Sequence, residues 1–179
     1  MSRVRIVGGT WRSRLLDVAA VEGLRPTPDR VRETLFNWLG QRLDGLRCLD
    51  LFAGTGILGF EAASRGAEAV TLVEQNPRAL DALHKAAITL QASQVEIVRG
   101  DAVKFLQNTT ARFDVVFLDP PYHQGWLDRL EPWLDRVLDK DGWLYAEAET
   151  PLDRLGKWQT LKQGHAGLVH YHLMQRADE

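Results

Sequence analysis

The chain is short of the residues that staple or anchor a protein. It has one cysteine, Cys48, so no intrachain disulfide can form, which points to a reducing compartment. That thiol lies in the apolar run 46–52 and reads as buried packing rather than a reactive group. No apolar run approaches the ~20 residues a membrane span needs. Met1-Ser2-Arg3-Val4-Arg5 is not followed by the apolar stretch of a secretory signal. The expectation is a cytoplasmic chain with no membrane partner. Repeats and low-complexity segments are also missing. Lysine is absent from the first 47 residues, where nine arginines face five acids (+4); the remainder sets thirteen Lys and Arg against nineteen acids (−6), giving −2 overall. Arg3, Arg5, Arg12 and Arg14 precede the first acid. A polyanion would meet this end of the molecule, and arginine suits bidentate phosphate contact.

What is present is a chain of 179 residues, 45% hydrophobic and 26% charged, which suits one globular domain with a substantial core and leaves little room for a separate substrate domain. Residues 3–7 and 14–18 flank Gly8-Gly9, predicting a short N-terminal hairpin or arm over 1–24, with the core spanning 25–179. In Arg25-Pro26-Thr27-Pro28-Asp29, Thr27 is placed to cap a helix with Pro28 in its first turn. Val31, Leu35, Trp38 and Leu39 continue it at helical spacing to about Leu43.

From Leu46 onward the pattern alternates. Apolar runs at 47–52, 69–73, 95–98, 113–118 and 142–146 read as buried strands; 58–65, 77–90, 102–106 and 126–138 read as helices. Such alternation predicts a parallel sheet covered on both faces. Residues 158–163 and 168–175 are joined through Gly164 and Gly167 without a helix, predicting a terminal hairpin. The sum is an α/β, Rossmann-like, seven-stranded, mostly parallel sheet whose last pair is antiparallel. Ligands in such sheets sit beyond the carboxyl ends of the strands, where the motifs fall.

The first motif is Asp50-Leu51-Phe52-Ala53-Gly54-Thr55-Gly56-Ile57-Leu58-Gly59, closing a strand and opening a helix. Its glycines allow a tight turn and close approach to a ligand. Glu74, with Gln75 behind it, ends the next strand twenty residues after Gly54 and is placed to accept from ribose hydroxyls. These features alone fit a nicotinamide dinucleotide or S-adenosylmethionine. Asp50 favours the second: a carboxylate ahead of the turn repels a pyrophosphate and attracts an ammonium. Phe52 and Ala53 share this turn. Asp101-Ala102 follows the third strand, where Asp101 can accept from an adenine amine, cap a helix, or do both.

The second motif is Asp119-Pro120-Pro121-Tyr122, ending the strand 113–118. Prolines lack an N–H, so this loop offers acceptors and few donors, and Pro121 holds Pro120 extended. An exocyclic amine on a nucleobase is a poor nucleophile because its lone pair is delocalised. The Asp119 carboxylate and the Pro120 carbonyl can take its two N–H groups and aim the lone pair at a methyl donor. Tyr122 is placed to stack on a base drawn out of its own stack. His123 reads as an exposed loop residue. His170 and His172 share a strand face without further ligands, so no metal is expected.

With these motifs in place, the sequence resembles the 16S ribosomal RNA guanine-N2 methyltransferases of the RsmD type, over 5–175. The distinctive stretches are Arg5-Ile6-Val7-Gly8-Gly9-Thr10-Trp11-Arg12-Ser13-Arg14 and Leu24-Arg25-Pro26-Thr27-Pro28-Asp29-Arg30-Val31-Arg32-Glu33-Thr34-Leu35-Phe36-Asn37; the catalytic loop alone is shared with adenine-N6 and cytosine-N4 enzymes. The resemblance implies a class I methyltransferase fold, S-adenosylmethionine as cofactor, and a guanine in small-subunit RNA that is partly or fully assembled with protein. It further implies that the segment holding Arg25, Thr27, Arg30 and Arg32 folds over the cofactor cleft and helps position RNA, with Arg5, Arg12 and Arg14 on phosphates. A monomer is expected. The alternatives are another nucleobase-amine methyltransferase, acting on adenine N6 in DNA for example, and a nicotinamide oxidoreductase or a silent RNA-binding module.

Overall fold

The computed structural model describes residues 2–177; of the expected span 1–179, Met1, Asp178 and Glu179 lie outside the described residues. The N-terminal arm contains β1 (Arg3–Arg5) and β2 (Leu15–Asp17), paired antiparallel as the glycine turn predicts. Then follow α1 (Asp29–Leu39), β3 (Arg47–Asp50), α2 (Ile57–Ser64), β4 (Ala69–Glu74), α3 (Pro77–Leu90), β5 (Val95–Arg99), α4 (Ala102–Asn108) and β6 (Phe113–Leu118). The chain closes with α5 (Trp126–Leu134), β7 (Leu138–Ala148), β8 (Arg154–Leu155), β9 (Trp158–Ala166) and β10 (Val169–Arg176). The main sheet runs β5-β4-β3-β6-β7-β10-β9-β8. Strands β3 to β7 are parallel to one another, and β10, β9 and β8 are added antiparallel beyond β7. The expected seven strands are joined by the two-residue edge strand β8.

Alternation along each strand sends side chains to two separate cores. Cys48, Val115, Phe117 and Tyr145 face α1, α2 and α3 together with Phe36, Phe60 and Leu83. Leu49, Val116, Leu118 and Ala146 face α4 and α5 with Leu106, Leu130 and Leu134. Cys48 is fully buried, and burial pushes its thiol up to about 12. His172, also buried, lies between the Leu152 N–H, which donates to Nε2 (2.9 Å), and the Ala146 carbonyl at Nδ1 (2.9 Å), a structural role. No helix among the described residues is long and apolar enough to cross a membrane.

Several boundaries differ from the sequence reading by a few residues, and three of them are instructive. Helix α1 ends at Leu39, not near Leu43, because Gly40 turns the chain at φ 112°. Helix α5 stops at Leu134, two residues past Pro132. Strand β7 starts at Leu138, four residues earlier than read, so the polar Asp139-Lys140-Asp141 lies inside a strand rather than before it.

Arg32 is corrected as a phosphate ligand: it is 0% exposed. Its guanidinium donates to Glu61 (2.9 Å) and to the carbonyls of Thr27 (3.0 Å) and Arg5 (2.6 Å), and it pairs with Asp29. Glu61, also fully buried, accepts in addition from the Val7 and Gly8 amides (3.0 Å each) and from Arg65 (3.2 Å). One carboxylate between two guanidinium groups thus fastens the arm and α1 onto α2. Guanidinium suits this position because its planar fork donates to several acceptors at once.

Candidate active site

The chain enters the sheet at its centre with β3, winds outward through β4 and β5, then returns to lay β6 and β7 on the other side of β3. That reversal opens a crevice beyond the carboxyl ends of β3 and β6. A cavity of about 670 Å³ occupies it, within the range of small-molecule sites. One wall is the glycine turn and the end of β4, another the loop after β6, and a third the segment 21–28 leading into α1.

Register gathers three acids there. Asp50 pairs with Phe117, and Leu118 with Ala146, so Asp119 follows level with Glu147. Counting by twos from Cys48, Phe117 and Tyr145 puts Asp50, Asp119 and Glu147 on the face shared with α1, α2 and α3. All three line the cavity.

In the glycine turn, Gly56 starts α2 at φ 82°, and a Cβ there would lie 2.5 Å from Leu83 and 2.7 Å from Phe60. Only glycine fits. A Cβ on Gly59 would meet Leu72 at 2.2 Å, which is how closely α2 lies on β4. Asp50 is 1% exposed, and its Oδ1 has no hydrogen-bond partner. Burial raises its carboxyl to about 7, assisted by Glu74 and Glu147 and opposed by backbone N–H groups of Phe52 and Gly59. Glu74 accepts from the amides of Gly54 (2.8 Å), Gln75 (2.9 Å) and Asn76 (2.9 Å). It therefore shapes the turn, while a carboxylate's four acceptor positions leave room for one more donor.

Of the expected cofactor residues, Thr27, Asp50, Phe52, Ala53, Gly54, Glu74, Gln75 and Ala102 line the cavity. Gly56 and Asp101 do not. Gly56 is turned into the helix start, and Asp101 caps α4 through Oδ2, which accepts from the Lys104 amide at 3.0 Å. Thr27 does not cap α1, whose N-cap is Pro28 without a side-chain bond. Its hydroxyl instead donates to Glu147 Oε2 at 3.3 Å.

On the other side of the cavity stand Asp119, Pro120, Pro121 and Tyr122, all four brought together. Burial, then the charges of Glu147 and Asp50, hold the Asp119 carboxyl well above the usual range. Burial, then the charges of Glu147, Asp119 and Glu149, push the half-buried Tyr122 up to about 12, so it is a neutral phenol. The loop is latched outside the cavity: Glu149 accepts from the His123 amide and meets its Nδ1, both at 2.8 Å, with His123 at φ 64°. Glu147 was not singled out in the sequence. Its Oε2 accepts from Thr27 and, at 3.0 Å, from Tyr145, and burial raises its carboxyl. The signal available was Tyr145-Ala146-Glu147-Ala148, an acid at an inward position of a buried strand; the reading ended that strand at Ala146. Among the described residues no group of three or more His, Cys, Asp or Glu is placed to hold a metal.

Arg5, Arg12, Arg14, Arg25 and Arg30 are exposed. Arg25 lies at the cavity mouth, and Arg14 reaches the Thr89 carbonyl at 3.3 Å, at the end of α3.

Central entry, an open crevice at the strand reversal and an antiparallel terminal hairpin define a Rossmann-like fold of the class I methyltransferase type. The family model described as "Conserved hypothetical protein 95" matches residues 4–175. Ribosomal RNA small subunit methyltransferase D of Haemophilus influenzae is 43% identical, the match covering 96% of this chain and 93% of that protein. Its Escherichia coli counterpart is 40% identical, covering 97% and 90%. A solved structure, "Putative methyltransferase yhhF from Escherichia coli", superposes with a TM-score of 0.89 at 39% identity, covering 99% of this chain and all of that one. The chain belongs to this family, the RsmD family of methyltransferases.

Proposed function

We propose that the protein transfers a methyl group from S-adenosylmethionine to the N2 amine of a guanine in small-subunit ribosomal RNA, in the cytoplasm where that RNA is assembled with protein. The observation that carries the reading is the placement of Asp119-Pro120-Pro121-Tyr122 across one cavity from the Asp50–Gly54 turn. The names of the relatives, methyltransferases of small-subunit ribosomal RNA, support the substrate class.

The cavity residues fit the cofactor. The unpartnered Oδ1 of Asp50 is a buried acceptor suited to an ammonium, Glu74 is suited to ribose hydroxyls, and the apolar side chains of Phe52, Leu24 and Ala102 suit the adenine. When bound, S-adenosylmethionine supplies an electrophilic methyl on a positively charged sulfur. The chain's own work is on the amine. Asp119 and the Pro120 carbonyl accept its two hydrogens, turning the nitrogen lone pair out of conjugation and toward the methyl. Asp50 and Glu74 would hold the donor so that its methyl passes to the nitrogen so aimed, the sulfur keeping the electron pair of the C–S bond. Asp119 takes the proton lost by N2. Tyr122 stacks on the flipped base. The exposed arginines of the arm carry phosphates.

The test is transfer of labelled methyl groups from S-adenosylmethionine to small-subunit particles, naked ribosomal RNA and DNA, with the modified nucleoside identified by mass spectrometry. N2-methylguanosine from the small-subunit substrate is expected; N6-methyladenine, or no product, would reject the reading.

A further inference from the structure

A loop that holds both hydrogens of an amine does not distinguish guanine from adenine or cytosine; the ring position beside the amine does. In guanine that neighbour is N1–H, a donor. In adenine it is N1 and in cytosine N3, both acceptors. A site that presents a second acceptor next to the amine-holding carboxylate therefore reads guanine, because the other bases would set lone pair against lone pair.

Glu147 occupies that position. It is one strand over from Asp119 and level with it, 5% exposed, and lines the same cavity. Its two side-chain partners, the Thr27 and Tyr145 hydroxyls, both donate to Oε2. Oε1 has no hydrogen-bond partner among the described residues, so one oxygen is anchored and the other is left for a ligand. Thr27 is itself fixed through its carbonyl by the buried Arg32. The arm, α1 and the acid are thus one rigid assembly.

We propose that Glu147 determines base specificity by accepting the N1–H of guanine through Oε1, while Asp119 and Pro120 hold the N2 amine. This rests on the guanine-N2 reading above. The experiment compares small-subunit particles reconstituted with RNA carrying either guanine or 2-aminopurine at the methylated position; 2-aminopurine keeps the amine but has no N1–H. The wild-type enzyme should favour guanine by roughly 10²-fold or more in kcat/KM. Glu147→Gln, whose amide can donate to a bare N1, should lose roughly 10- to 100-fold on guanine and narrow the preference to below about tenfold. Equal wild-type rates on both bases would overturn the proposal without any variant being made. So would a Glu147→Gln enzyme that keeps the wild-type ratio, or one impaired only in KM for S-adenosylmethionine. Wild-type enzyme that methylates no guanine at all would instead overturn the functional reading on which the proposal stands.

Discussion

Glu61, on α2, and Glu147, at the end of β7, are both buried glutamates, but the first lies between two guanidinium groups and the second beside two other acids. Glu61 accepts four hydrogen bonds, from Arg32, Arg65, Val7 and Gly8. Glu147 has only two neutral hydroxyls, with Asp119 and Asp50 for company. A buried charge without a counter-charge is costly, and the fold meets that cost at Glu61 with its own arginines. Around the cavity no arginine among the described residues pairs with the three acids, and Arg25 at the mouth is exposed, so the site is left to take positive charge and donors from what binds there. The contrast separates a fastening from a site.

The largest effect should come from the site. Asp119→Ala is expected to lower turnover by roughly 10³-fold or more, about 4 kcal/mol of transition-state stabilisation, with cofactor affinity held within a few-fold by calorimetry. Near-normal single-turnover rates would remove Asp119 from the role given to it. For the fastening, Glu61→Ala leaves two buried guanidinium groups facing each other and should cost about 3–5 kcal/mol in urea unfolding. Glu147→Gln, by contrast, relieves an unpaired acid and should leave stability within about 1 kcal/mol of wild type or raise it. Equal losses from both variants would erase the distinction.

Asp50 sharpens it through pH. Its folded carboxyl is raised to about 7 from 3.8, so the ligand-free fold loses stability as pH rises from the ordinary carboxylate range through about 7, and Asp50→Asn should abolish that loss. A cationic ligand requires the ionised form. Cofactor affinity should therefore strengthen by about tenfold per pH unit up to roughly 7 and then level off, with Asp50→Asn flat throughout; an unchanged pH profile in the variant would exclude Asp50 from contact. The smallest effect belongs to the surface. Arg5→Ala, Arg12→Ala and Arg14→Ala should each flatten the salt dependence of RNA binding by about one unit of log–log slope, whereas Arg32→Met should lower stability and leave that slope alone.

Much of the scaffold is legible in the sequence because it is set by local pattern. Residues 113–118 and 77–90 form a strand and a helix at the expected bounds, each marked by periodicity and, for the helix, by Asn76 capping ahead of Pro77. The DPPY loop and the glycine turn meet across the cavity as expected because strand order in this architecture brings them there. What escaped depends on contacts distant in sequence. Arg32 reads as one of a run of surface arginines, although its spacing four residues before Phe36 puts it on the buried face of α1. Its role requires Glu61, twenty-nine residues on. Thr27 has the sequence context of a cap, yet its hydroxyl serves Glu147 across 120 residues. Glu147 itself becomes visible only when the β6–β7 register sets it beside Asp119.

Cys48 gives the molecule a practical property. The only thiol in the chain has no exposed surface and strongly resists ionisation, so maleimide and iodoacetamide reagents have nothing to attack while the fold is intact. A reporter introduced by Arg12→Cys would be labelled alone, and dye emission could then follow the arm as it meets a polyanion, with no background to subtract.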